Sequence, residues 1–88
     1  MEFLDVLHDK YLTSTEKVVF LEVYTQNKMN WHCNMTNAEL GRILDVSQKT
    51  ISRSLTRLHR MNYLTIFQHS TTRIVKINKN GRIKENKK

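Results

Sequence analysis

Between Ser47 and Asn62 the chain carries Lys49, Arg53, Arg57 and Arg60 and not one acidic residue. Guanidinium and ammonium groups at that density do one kind of chemistry well: they neutralise a polyanion and donate hydrogen bonds to it. A second basic run follows, residues 73–88, with seven basic side chains against Glu85, a net of +6. Residues 1–46 hold four basic against seven acidic side chains, a net of −3. The formal charge of +7 is therefore segregated along the sequence. Segregation of this kind implies a dedicated polyanion-binding face.

Side chains for covalent or acid–base chemistry are absent in any usable pattern. Cys33 is the only cysteine, so no intrachain disulfide can form. His32 is its immediate neighbour, and adjacent residues rarely close a tetrahedral metal site. There is no Ser, Cys or His triad pattern, no carboxylate pair and no glycine loop to cradle a phosphate; Gly81-Arg82-Ile83 does not make one. The reading is of no enzyme, no metal, no cofactor and no small-molecule substrate. Trp31, His32 and Tyr63 are read as packing residues. Eighty-eight residues provide one modest core, and 39 % hydrophobic with 26 % charged residues is ordinary for a globular chain. No apolar run approaches the roughly 20 residues of a membrane span. Glu2, Asp5 and Asp9 are unlike a secretory leader. The expected setting is the cytoplasm, without a membrane partner.

The elements that must position the basic residues can be traced in order. Residues 2–11 predict a short helix with Phe3, Leu4, Leu7 and Tyr11 on one face. Thr13-Ser14-Thr15-Glu16 reads as a capping box. It starts a helix expected from about Ser14 to Asn27, apolar almost all round and so with neighbours on several sides. Alternation of Met29, Trp31, Cys33 and Met35 suggests a connector over 28–35 with a short β segment. A second capping box, Thr36-Asn37-Ala38-Glu39, starts a helix carrying Leu40, Ile43 and Leu44 and ending near Asp45. Ser47 caps a third, from about Gln48 to Met61, whose inward stripe is Ile51, Leu55 and Leu58. The period then falls to two. Leu64, Ile66 and Gln68 share one face and Thr65 and Phe67 the other. His69-Ser70-Thr71-Thr72 reads as a four-residue turn, and Ile74, Val75 and Ile77 as a returning strand. Lys79 to Lys88 form a basic polar tail. Two glycines and no proline fit a mostly helical fold.

Within that order, Thr36 to Leu55, followed by Leu58 and Leu64, closely resembles the helix-turn-helix of bacterial and phage DNA-binding proteins. Gly41 stands where the two helices cross closely. Asp45 replaces the usual turn glycine, at a tolerable cost because Asp accepts the left-handed conformation. Val46 plugs the angle, Ser47 caps the second helix, and Asn62 takes the usual glycine's place after it. With the hairpin behind it, residues 13–78 resemble a winged helix, most of all the module of plasmid and phage replication initiators and related regulators. The expected fold is mostly α with a β-hairpin wing: a three-helix core plus the N-terminal helix of residues 1–12, with 79–88 as a flexible tail.

The resemblance implies double-stranded DNA as partner, with the helix of about 48–61 in the major groove. Subtracting its core stripe leaves Gln48, Lys49, Ser52 and Arg53 toward base edges. Arg suits guanine and Gln suits adenine. Thr50, Thr56, Arg57 and Arg60 fall toward phosphates, as do Thr36, Asn37 and the capped helix start at Ser47. In the wing, Ser70, Thr71 and Thr72 form the tip, Arg73 is placed at a minor groove and Lys76 at a phosphate. The expected role is a sequence-specific transcription regulator, dimeric through the N-terminal helix. Alternatives are a plasmid or phage replication-initiation or maintenance factor on origin repeats, and a winged-helix protein-interaction module.

Overall fold

A computed structural model describes residues 3–30, 33–69 and 72–78. Trp31, His32, the wing tip at Ser70 and Thr71, and the basic tail lie outside the described residues. The element order is α1 (Phe3–Leu7), α2 (Ser14–Asn30), α3 (Asn37–Leu44), α4 (Gln48–Arg60), β1 (Leu64–His69) and β2 (Thr72–Ile77). The described part is thus mostly helical, with one two-stranded antiparallel hairpin.

Helices α2 and α3 begin where their caps dictate. Before α2, the Thr13 amide donates to Glu16 Oε1 at 2.8 Å and the Glu16 amide to Thr13 Oγ1 at 3.1 Å. The Thr36/Glu39 box at α3 is built the same way, at 2.9 and 3.1 Å. Each box satisfies two backbone donors that the helix itself leaves unpaired.

Two helix lengths differ from expectation. The first helix stops at Leu7 instead of running to residue 11. Asp9 interrupts it: one carboxylate oxygen accepts the Tyr11 amide at 2.8 Å, and the other accepts the Tyr63 hydroxyl. Asp is well suited to such a local turn. In this segment Val6 and Leu12 are accordingly buried and Leu7 and Tyr11 face solvent, while the side chains of Phe3 and Leu4 lie outside the described residues. Conversely, α2 continues to Asn30, past the expected end at Asn27. Nothing in Lys28-Met29-Asn30 breaks a helix, and the Asn27 side-chain Nδ2 donates back to the Val23 carbonyl at 3.0 Å.

Beneath the helices lies one core. Val19, Phe20 and Val23 of α2 meet Ile51, Leu55 and Leu58 of α4, with Leu40, Tyr63, Leu64 and Val75 closing the sides. Side chains of this size each contribute roughly 1.5–3 kcal/mol when fully buried. The neighbours expected all round α2 are not there. Val18 and Leu21 are exposed, because the described helices and hairpin pack on one side of α2 only.

The hairpin register runs from Leu64↔Ile77 to His69↔Thr72. Because His69 and Thr72 pair, only residues 70 and 71 separate the strands, not the four-residue turn expected. Cys33 supplies the predicted short β segment as a bridge to Val75, with 2.9 and 2.8 Å hydrogen bonds. Asn27 fastens the hairpin to α2. Its amide nitrogen donates to the Val75 carbonyl and its oxygen accepts the Ile77 amide. These bonds fix the hairpin's angle to the helices.

Candidate nucleic-acid interface

The elbow between α3 and α4 sets everything that follows. Asp45 has φ 61° and ψ 46°, the left-handed conformation, and its amide donates to the Gly41 carbonyl. A Cβ at Gly41 would lie 2.5 Å from the Val46 carbonyl oxygen, so only glycine lets the backbone fold back this closely. Ser47 then opens α4. Its hydroxyl oxygen accepts the Thr50 amide at 3.1 Å and donates to Thr50 Oγ1 at 2.9 Å. At the far end Asn62, with φ 68°, turns the chain into β1.

On α4 the inward stripe is Ile51, Leu55 and Leu58 as expected, together with Ser54. Gln48, Lys49, Ser52, Arg53, Thr56 and Arg60 are exposed, while Thr50 and Arg57 are half-buried. Ser52, Arg53, Thr56, Arg57 and Arg60 line an open cleft of about 400 Å³, shared with Glu16 of α2. A second open cleft of about 440 Å³ lies between the start of α3 and the hairpin. It gathers Thr36, Asn37, Gln48, Thr72 and Arg73 from the expected set and adds Asn34 and Gln68. The first turns of both α3 and α4 therefore open onto hydrogen-bonding surface.

Two residues expected to touch an external phosphate or groove are instead turned into the fold. Arg57 donates to the Tyr11 carbonyl at 2.5 Å and lies 3.7 Å from the Glu16 carboxylate. It ties α4 to the turn that follows α1. Arg73 donates through Nη1 to Asn37 Oδ1 at 2.7 Å and through Nη2 to the Met35 carbonyl at 2.6 Å. Its guanidinium is the strap between the hairpin and the start of α3, not a free probe. Burial lowers its pKa, and the nearby Cys33 offsets this in part. The Cys33 thiol is pushed up, chiefly by burial; a hydrogen bond at Met35 and the charge of Arg73 pull the other way. Lys76, on β2, is exposed. Thr36 is exposed but its hydroxyl is occupied by the capping box.

The sequence reading missed the positioning side chains. Asp9, Asn27 and Asn78 carry no pattern of their own, yet each bonds across the fold. Asn78 accepts from Thr65 Oγ1 and donates to the Asn62 carbonyl, holding the base of the hairpin against the end of α4. The only signal in the sequence for Gln68 is its place on the same face of β1 as Leu64 and Ile66. Phe67, on the outer face, is 52 % exposed beside the register partner Ile74.

No helix among the described residues is long and apolar enough to cross a membrane. Comparison with protein-family models, with curated proteins and with solved structures gives no match for this chain.

Proposed function

We propose that this chain binds double-stranded DNA sequence-specifically as a winged helix-turn-helix, in the manner of a transcription regulator. The observation that carries the reading is the division of α4. Its core stripe is buried, and its opposite face presents Gln48, Lys49, Ser52, Arg53, Thr56 and Arg60 without an acid.

In this reading the N-terminal half of α4 enters the major groove. Arg53 is the residue for a bidentate pair with guanine, Gln48 for adenine, and Lys49 and Ser52 for neighbouring edges. Thr50, Thr56 and Arg60 meet phosphates on either side. The first-turn amides of α3 that its capping box does not use, beginning with Asn37, take a phosphate of the same strand region. Arg73 and Asn37 hold the hairpin in place, so that Thr72 and Lys76 reach the flanking backbone. Arg57 serves the fold and not the duplex.

Selection from a random duplex library, with affinities at two salt concentrations, tests this. The expected result is a defined motif and a steep salt dependence. Arg53→Ala relaxes one position of that motif at a cost of about 1–3 kcal/mol. A palindromic motif with two-fold symmetry fits a paired operator, and direct repeats fit an origin. Absence of duplex binding even at low salt overturns the reading.

A further inference from the structure

The second helix buries one apolar stripe and leaves Val18 and Leu21 exposed on the opposite side. At 3.6 residues per turn, Val19, Phe20 and Val23 share one side, which is the core. Ser14, Val18, Leu21, Thr25 and Lys28 lie on the opposite side, spaced four, three, four and three. That is the spacing of a helix–helix seam. Val18 is 46 % exposed and Leu21 43 %, with Met29 beside the far end of the seam at 72 %. The one charge on the seam is drawn aside: Lys28 Nζ sits 5.6 Å from the centroid of the Tyr24 ring. At the near end the seam continues into an apolar groove of about 240 Å³ between Val18, Val19, Leu44 and Val46.

The flanks of the seam identify its occupant. Lys17 lies on one flank and Glu22 on the other, five residues apart. In a parallel pair of identical helices, each such position faces the opposite flank of the second helix five residues on. Lys17 of one copy then meets Glu22 of the other, twice by symmetry. An antiparallel pair would instead set Lys17 against Lys17 and Glu22 against Glu22. Lys17 already donates to the Leu7 carbonyl at 2.7 Å, which orients its ammonium and leaves two donors unspent.

We propose that α2 pairs in parallel with α2 of a second copy of this chain through Val18, Leu21 and Thr25, with Lys17–Glu22 pairs on both flanks. This moves the dimer contact away from the N-terminal helix, whose Val6 is spent on the core. The inference stands on packing and charge alone and holds whether or not the chain binds DNA. It also leaves α4 uncovered, because α4 packs on the other side of α2. A single helix pair falls short of the roughly 1,200–2,000 Å² of a standard stable interface, so the dimer is reversible.

Sedimentation equilibrium of the full chain, from micromolar to millimolar, tests it without any DNA. The wild type is expected to shift reversibly from monomer to dimer. Leu21→Glu gives a monomer throughout, with its circular dichroism unchanged because the site is at the surface. Lys17→Glu and Glu22→Lys each weaken the dimer by about tenfold, and the double charge swap restores it. Three results overturn the proposal: a wild type that stays monomeric, a dimer indifferent to Leu21→Glu, or single swaps that the double does not rescue. Single swaps that leave the dimer unchanged likewise overturn it, since they point to the antiparallel pair, where each swap only exchanges one like-charge pair for another.

Discussion

The second and fourth helices are pressed against each other, yet they solve different problems. Helix α4 buries one stripe and leaves the opposite face wholly polar. Helix α2 buries one stripe and leaves Val18, Leu21 and Met29 in solvent on the other. A polar face without acid is stable on its own in water, and it is the face that the DNA-binding proposal gives to the polyanion. An apolar face exposed beside a finished core gains by being covered. On the two proposals, charge pattern separates a surface for a ligand from a surface for a like chain, even though both sit on helices sharing one core.

The comparison breaks most sharply within α2 itself. Phe20→Ala removes a fully buried ring that meets Tyr63 edge-on, with centroids 6.1 Å apart. The expected cost is about 3–5 kcal/mol in urea unfolding. Leu21→Ala, one residue along, is expected to change monomer stability by no more than about 0.5 kcal/mol. Equal losses would mean that the outer stripe is already covered within the monomer.

Next in size is the elbow that aims α4. Gly41→Ala places a methyl 2.5 Å from the Val46 carbonyl, a backbone atom that cannot swing away. The α3–α4 angle must open, at about 1–3 kcal/mol of stability. On the DNA-binding reading, affinity falls further than stability does, because the first turns of both helices lose their common alignment. A variant with lost stability but unchanged duplex affinity would separate the elbow from the interface.

A smaller effect divides the arginines of α4. Arg57 is held by Glu16 and the Tyr11 carbonyl, whereas Arg60 is exposed. Arg57→Ala is expected to lower stability by about 1 kcal/mol or less, given its partial exposure. Its duplex salt slope should stay near that of the wild type. Arg60→Ala is expected to leave stability alone and to reduce the salt slope by about one. The reverse pattern would show that Arg57 leaves Glu16 for a phosphate.

These contrasts also mark what the sequence made legible. The two capping boxes, Gly41, the left-handed Asp45 and Asn62, and the stripe of α4 depend on residues within a few positions of each other. Short-range rules therefore reach them. The length of α1 was not legible, since its end is set by Asp9 holding Tyr63, 54 residues away. From residue type alone, Arg57 and Arg73 are basic and therefore expected to face outward. Charge type is local information, but the partners that turn these side chains inward lie 46 and 36 residues off. For α2, the apolar pattern predicts neighbours on several sides, whereas the described elements cover one side and leave Val18 and Leu21 exposed, because periodicity does not say which faces the chain itself will cover.

The smallest effect is silent at neutral pH and concerns the residue just beyond α2. Cys33 is fully buried against Val75, and burial raises its pKa despite the opposing Arg73. Glu22 and Glu39 add to the rise. Below the ordinary thiol value of about 8.5, folded and unfolded chains both hold the proton, and stability does not depend on it. Above that value the unfolded chain loses the proton while the folded chain keeps it. The unfolded state then binds fewer protons, so stability falls as pH rises toward the folded pKa. Urea unfolding of the wild type and Cys33→Ala from pH 7 to 10 reads this directly: the stability difference between them is expected to shift against the wild type only above about pH 8.5. The native thiol should also resist Ellman's reagent at pH 8 and react on unfolding. A thiol that reacts rapidly in the native state would mean that the bridge to Val75 opens, and with it the seat of the hairpin against the helices.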